Sequence, residues 1–451
     1  MPAGRISPRL ESLEGSMSLA IAPGMVPVLL RRVVAPVALF TVAAVARVAY
    51  LLTMAPSLEG YHWTIADDLL REGIFGYGGV ETAYYEPLYP AFLAAARWVV
   101  GDNPLVVQVL QIFVDSLGAA LLFLLATALT ARRQIGVIAA LLYALYPLLV
   151  RHAVLLHEYS VVSVFLVAFC YLLVTASTTS RAAAAGVCLG AAILVRAMVA
   201  PALALTAVTL IVTRRYRMAV ALILTTTAVT APWLVRNYLL NGAMAPTRSG
   251  VSFFMGNSRY AAALLPAHNI DLLMQFTDSV PARARPELLA PAAERRLDAF
   301  YWDLAWQEIG ARPLETVALK CRYLAYFFWP RLMPSRIMTA DTTITLEEDG
   351  AVQVSNSLPR PVLDEIAYSS SYVVVFMAAL AGIWRRRRVL KDDAVLWCVL
   401  VTFVAVHVAY YPATVYRVPV EFVLLFYAAV GLECAHQALS RRLSTRTAGP
   451  D

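Results

Sequence analysis

Apolar runs recur along almost the whole chain, each near the length of a bilayer-spanning helix and each ended by a short polar break. A helix needs about 20 mostly apolar residues to cross a hydrocarbon core of about 30 Å. The pattern predicts spans at 33–54, 104–130, 134–150, 158–178, 182–195, 198–213, 217–235, 368–384, 394–411 and 418–437. The expected fold is all-α, a polytopic membrane helical bundle of about ten transmembrane helices. No short apolar segment with a small-residue cleavage site precedes Val33, so the run from Val33 to about Met54 is expected as a retained helix.

Arginine runs orient the spans. Arg31-Arg32, Arg132-Arg133, Arg181, Arg214-Arg215 with Arg217, Arg385 to Arg388 and Arg441-Arg442 all flank apolar segments. Such residues are retained on the cytoplasmic side. With the amino terminus inside, the runs fall inside after alternate crossings, provided that 315–333 does not cross. That stretch is apolar but carries Lys320, Arg322 and Arg331, and it is expected to lie in the interface. The chain then divides into a cytoplasmic segment (1–32), a polytopic domain (33–437) with an external loop at 56–103 and an external segment at 236–367, and a cytoplasmic tail (438–451).

Composition narrows the class. Of 451 residues, 60% are hydrophobic and only 15% charged, which excludes an ordinary soluble domain. The net charge of +7 resides in the arginine runs beside the spans, so no nucleic-acid partner is expected. Five cysteines, three of them (Cys170, Cys188, Cys398) in apolar runs, form neither a disulfide framework nor a paired metal signature. Lysine is limited to Lys320 and Lys391, which points to a GC-rich bacterial genome and hence an inner (plasma) membrane.

The remaining polar residues collect at the external breaks: Glu59, Glu86, His157, Glu158, Arg196, Arg236 and Arg417. Carboxylates and arginines gathered at one membrane face imply a polar or anionic substrate there. In the first loop, Trp63, Ala66, Leu69 and Leu70 recur at helical spacing, as in an interfacial helix. A glycine-rich turn (Gly73 to Gly79) and Tyr84-Tyr85-Glu86-Pro87-Leu88-Tyr89-Pro90 follow. Glu158 reads equally as a helix N-cap or a site carboxylate, and Arg236 as a snorkelling side chain or a ligand contact. Asp115 is expected to make an interhelical hydrogen bond, and His157 to be a satisfied interfacial histidine. Residues 258–367 alternate Arg259, Arg283, Arg285, Arg295 and Arg296 with apolar positions, followed by Trp302, Trp306 and Trp329. They are expected as interfacial helices over the site, then a loop (334–366) with Asp341, Glu347, Glu348 and Asp349.

Several motifs, in order, resemble those of the GT-C membrane glycosyltransferases, above all the bacterial relatives of protein O-mannosyltransferases and of the lipid A aminoarabinose transferase. They are the acidic first loop ending in Glu86-Pro87-Leu88-Tyr89-Pro90, Ala144-Leu145-Tyr146-Pro147 with His157-Glu158-Tyr159, and Gly190 to Arg196. Pro232-Trp233-Leu234-Val235-Arg236-Asn237-Tyr238 with Gly250 and Gly256-Asn257 follows, and then Tyr416-Arg417-Val418-Pro419. The resemblance implies a GT-C fold with interfacial external helices. It also implies inverting transfer of a sugar from a polyprenyl-phosphate donor to a hydroxyl of a lipid, glycan or protein acceptor. By carry-over, Glu59 is the general base, with Asp67 or Asp68 as the alternative because the family's aspartate is displaced here. Glu86 is a second acid and a position for a divalent metal ion. Arg236 and Arg417 would hold the phosphate, with Glu158, Arg196, Tyr61, Asn237 and Tyr85 as further substrate contacts. The sequence has no GxxxxGK[ST] phosphate loop, as suits a lipid-linked donor. A non-catalytic scaffold or a transporter of a lipid-linked or anionic solute stays open as the alternative. A transporter would more often show internal repeats, and none is visible.

Overall fold

The computed structural model describes residues 25–54, 60–277, 284–347 and 349–447. Glu59, Arg283 and Glu348 lie outside them. Apolar periodicity becomes helix almost throughout. The long helices are α1 (Met25–Leu51), α4 (Pro104–Thr130), α10 (Tyr216–Asn241), α14 (Val362–Arg386) and α16 (Glu421–Thr447). Each contains a stretch long and apolar enough to cross a bilayer. Helices α5 (Arg133–Leu145) and α6 (Pro147–Val154) form one span bent by 53°. Pro147 lacks an N–H and forces extended backbone on Tyr146, so the helix breaks there. Shorter apolar helices complete the bundle: α7 (Tyr159–Val174), α8 (Thr179–Val195), α9 (Pro201–Val212) and α15 (Ala394–Ala409). Among the described residues five helices, or six with the bent pair, are long and apolar enough to cross a bilayer, and the other four predicted runs fold as apolar helices shorter than a straight crossing needs; the chain is a polytopic all-α membrane protein.

Contacts between breaks show which ends lie together. At one end Arg236 donates to Thr82 O, Ala197 N–H to Glu86, and Arg151 pairs with Asp364 at 3.0 Å. At the other end Arg215 reaches Ala176 O and Arg386 reaches Leu129 O. The arginine runs at 132–133, 214–217 and 385–388 therefore share one end, and the acidic breaks share the opposite one.

Inside the bundle Arg47 donates its Nε–H to Asp115 and further N–H groups to Ala43 O and Ala144 O, while Tyr143 donates its O–H to the same carboxylate. Asp115 thus joins α1, α4 and α5, as an interhelical hydrogen bond should. Helices α8 and α10 approach closely where Gly186 and Gly190 face Thr225 and Val229.

The acidic end carries the remaining elements. Helices α2 (Gly60–Arg71) and α3 (Leu88–Val100) flank the glycine-rich turn, in which Gly73, Gly78 and Gly79 take positive φ. Helix α11 (Ser249–Asn257) lies under α12 (Glu294–Ala311). Helix α13 (Pro313–Phe327) covers most of the 315–333 stretch. It is 15 residues long, or about 22 Å at 1.5 Å per residue. It turns Leu319, Tyr323 and Phe327 inward, and its Lys320 donates to Ala409 O at the end of α15. Burial pushes the Lys320 ammonium down to about 7.

The expected loop 334–366 is partly sheet. β1 (Arg336–Ile337) pairs with β4 (Leu358–Pro359), and β2 (Thr343–Leu346) with β3 (Val352–Ser355), both antiparallel, as nested hairpins. Thr343-Ile344-Thr345-Leu346 alternates facing side chains in the period of a strand, a pattern with no apolar run of helical length.

Candidate active site

The acidic end gathers its charges around one buried carboxylate. Glu158 occupies the N-cap of α7, yet its side chain makes no capping bond. It is 1% exposed and faces two partners instead. Arg196, at the break after α8, brings a guanidinium nitrogen to 2.9 Å of Oε1, and His62 Nε2 of α2 stands 3.2 Å from Oε2. Glu158 Oε1 has no aligned hydrogen bond, so the Arg196 pair is held by charge more than by directed bonding. Of the two readings open for Glu158, the geometry takes it away from helix capping. Glu86 stands at the rim of the same group: its Oε1 accepts the Ala197 N–H at 2.7 Å, next to Arg196 in the chain.

Aromatic rings wall this group. Tyr61 and Tyr85 stack at 4.7 Å, and the His62 ring meets Tyr61, Tyr85 and Tyr89 at 4.4, 5.6 and 5.0 Å. Arg196 lies over the Tyr159 ring, which touches Tyr416. Burial raises the Tyr85 phenol, so it stays a hydrogen-bond donor at neutral pH.

Sequence reasoning missed Arg248. It sits just before α11, over the rings of Tyr85 (5.3 Å), Tyr61 (5.8 Å) and Tyr84 (6.0 Å). Aromatic faces attract a guanidinium without consuming its N–H donors. The segment Thr247-Arg248-Ser249-Gly250 looks like any polar loop; the only signal was its position just before the Gly250 of the recognised motif.

The other expected residues take separate places. Arg236 donates to Thr82 O (2.5 Å), Phe75 O (3.1 Å), Asn237 Oδ1 (3.2 Å) and Glu81 (3.3 Å), and lies over Trp233. Its donors hold the glycine-rich loop. Arg417 is 2% exposed and pairs with Glu421 at 2.9 Å, donates to Phe327 O, Trp329 O and Tyr368, and lies 4.0 Å over Tyr372. Asp67 accepts from Arg97, and Asp68 accepts the Gly79 N–H at 2.9 Å, so both acids shape the first loop. Asn237 is buried beside Arg236. His157 rings against His152 and Tyr159 at the edge. Glu59 lies outside the described residues.

The resemblance places a divalent metal at Glu86. Among the described residues no three of His, Cys, Asp and Glu converge on a common point. Glu86 gives one carboxylate oxygen to the Ala197 N–H and keeps the other, and Glu158 faces Arg196 and His62.

No family model and no curated protein matches the chain. Solved structures do. The oligosaccharyltransferase of Archaeoglobus fulgidus, tethered to an acceptor peptide containing the NVT sequon, aligns over 90% of this chain at 13% identity and a TM-score of 0.48. The chain spans about half the length of that protein, 50% of it being covered. ArnT from Cupriavidus metallidurans aligns in its apo state over 88% of this chain and 77% of its own, at 15% identity and a TM-score of 0.39. Bound to undecaprenyl phosphate, it aligns over 94% and 81%, at 15% and 0.36.

Proposed function

We propose that the chain is an integral-membrane glycosyltransferase that moves a sugar from a polyprenyl-phosphate donor to a hydroxyl of a lipid, glycan or protein acceptor. The transfer takes place at the acidic, external end of the bundle in a bacterial inner membrane. The observation that carries this reading is the meeting of Arg248 and Arg196 with Glu158, Glu86 and stacked tyrosines at the mouth of an apolar helix bundle. A lipid-linked donor needs that combination: a bilayer for its chain, cations for its phosphate and a carboxylate for the acceptor proton.

In a single displacement the acceptor oxygen attacks the anomeric carbon while the bond from that carbon to the phosphate oxygen breaks. The electron pair leaves on the polyprenyl phosphate, and the acceptor proton passes to a carboxylate. Arg248 suits the leaving phosphate: its N–H groups have no acceptor among the described residues, and its plane rests on tyrosine rings. Arg196 adds charge from behind, tempered by Glu158. Glu59, next to the start of α2, is the proposed base, and Glu86 orients the acceptor through its second oxygen. Arg236 and Arg417 keep the walls in place, since protein acceptors already take up their donors.

The test is transfer by the purified chain, offered radiolabelled polyprenyl phosphate sugars with membrane glycolipid extracts. Product is expected from a lipid phosphate sugar and none from nucleotide sugars. Efficient turnover with a nucleotide sugar in lipid-free detergent overturns the reading. Loss of product on adding a chelator would restore the metal that the resemblance implies.

A further inference from the structure

The two segments that bring Arg248 and the Tyr84-Tyr85-Glu86 motif together come from opposite parts of the chain. A third element bridges them. In the first turn of α12, Glu294 Oε1 accepts the hydroxyls of Thr82 (2.8 Å) and Thr247 (2.5 Å), and Oε2 accepts the Ala83 N–H (3.2 Å). Thr247 N–H also donates to Ala83 O at 3.1 Å, closing the ring. One turn later, Asp298 Oδ1 accepts the Gly250 N–H at 2.5 Å and the Ser249 hydroxyl at 3.3 Å. The spacing is i, i+4, which sets both carboxylates on one face of the helix. Thr82-Ala83 immediately precedes Tyr84-Tyr85-Glu86, and Thr247 immediately precedes Arg248. Gly250 is required for the approach, because a Cβ there would fall on the Asp298 backbone oxygen. Phe253 stacked on Trp302 at 4.3 Å fastens the rest of the helix to α11.

We propose that α12 is a clasp over the Arg248–Tyr85 group, and that Glu294 and Asp298 are positioning residues that set the spacing between Arg248 and the Tyr84–Glu86 segment. The clasp rests on the reading of the cleft as a transfer site. Neither carboxylate touches the reacting atoms. Each acts on residues one or two positions from those that would. The two loops share one backbone hydrogen bond, Thr247 N–H to Ala83 O, so their spacing depends strongly on the side chains that tie them. Here a single carboxylate takes three donors from both. Lifting the first turn of α12 would leave the loops tied mainly by the Thr247 N–H to Ala83 O bond, loosening their spacing for entry of a lipid phosphate; seating it would return Arg248 to the tyrosine rings.

The experiment measures the spacing and the chemistry separately. Spin labels are placed on cysteines at Tyr77 and Met244, both exposed and one on each loop, in the full chain with its native cysteines replaced. The parent is expected to give one narrow distance distribution, and Glu294→Ala/Asp298→Ala a broadened or displaced one. Turnover of the lipid phosphate sugar should fall about 10–100-fold in kcat, the scale of a misplacement near 1 Å. A clasp that merely stabilised the fold would lower the fraction of active protein and leave kcat per folded molecule intact. Unchanged distances and unchanged kcat overturn the proposal. If the double variant does not fold, Glu294→Gln is read in its place: it keeps the shape but replaces one charged acceptor oxygen by an N–H₂, weakening the tie, and it should broaden the distribution partly. Thr82→Val/Thr247→Val approaches the same contact from the loops and should act in the same direction. If the distances respond as expected but neither parent nor variant transfers any sugar, the proposed function fails while the clasp stands.

Discussion

Glu158 shows how a single position in the chain changes meaning on folding. As a letter it is an acid before an apolar run, with helix capping as good a reading as any. Folded, it is a buried carboxylate whose charge is met by Arg196 and His62. Removing one partner of a buried pair leaves the other uncompensated, at a cost of about 3–5 kcal/mol. Arg196 is 19% exposed, so Glu158→Gln should cost near the lower end, read as a lower unfolding temperature in detergent. Asp298 carries a pH signature. Burial pushes its carboxyl up to about 6, against the opposing Gly250 N–H and Ser249 hydroxyl, with Glu294 adding repulsion; Tyr410 also faces it. A carboxyl raised in the folded state binds its proton more tightly there than in the unfolded chain. Stability therefore rises as pH falls through about 6. Asp298→Asn, which keeps an acceptor for Gly250, should flatten that dependence between pH 7.5 and the ordinary aspartate range near 4. The carboxylates and arginines at the breaks were legible because charge is scarce in such a chain. Arg248 was not: the rings that single it out lie far away in the sequence and meet it only in the fold.

Helices were the most legible level, since a run of apolar residues has little choice in a bilayer but to satisfy its backbone internally. What hydropathy could not give is how helices meet. Gly382 of α14 and Gly431 of α16 face each other, and a Cβ on either would fall on a backbone carbonyl, Tyr427 O or Ala378 O. Small residues at such crossings let helix backbones touch. Overpacking of this kind typically costs about 1–3 kcal/mol. Gly382→Leu should lower the unfolding temperature, whereas a side-chain change at the exposed Leu380, Leu380→Ile, should leave it within error. Boundaries also shifted where local chemistry overrode hydropathy. The run expected as one span at 134–150 bends at Tyr146-Pro147, and the expected loop at 334–366 holds two hairpins.

At the scale of the whole molecule, the arginine runs share one end and the acidic breaks the other, the arrangement that the charge pattern called for. Sidedness itself is a prediction. Cysteines placed singly at Ser355 and Val389, in a cysteine-depleted chain, are to be probed on intact cells with an impermeant thiol reagent. Labelling at 355 and protection at 389 are expected, and the opposite result would invert the topology. The lengths of the helices carry one more consequence. Helices α7, α8 and α15 have 16, 17 and 16 residues, or about 24–26 Å at 1.5 Å per residue, beside neighbours of 25–27 residues. The bilayer thins where it meets the exposed faces of α8 and α15 (Val187, Val401), at an elastic cost of a fraction of a kcal/mol per Å, while α7 is enclosed by its neighbours. Lipid thickness then acts as a load on the cleft. In nanodiscs of increasing acyl length, turnover should peak in thin bilayers and decline as the membrane thickens, so that a mechanical property of the solvent sets the pace of chemistry at its edge.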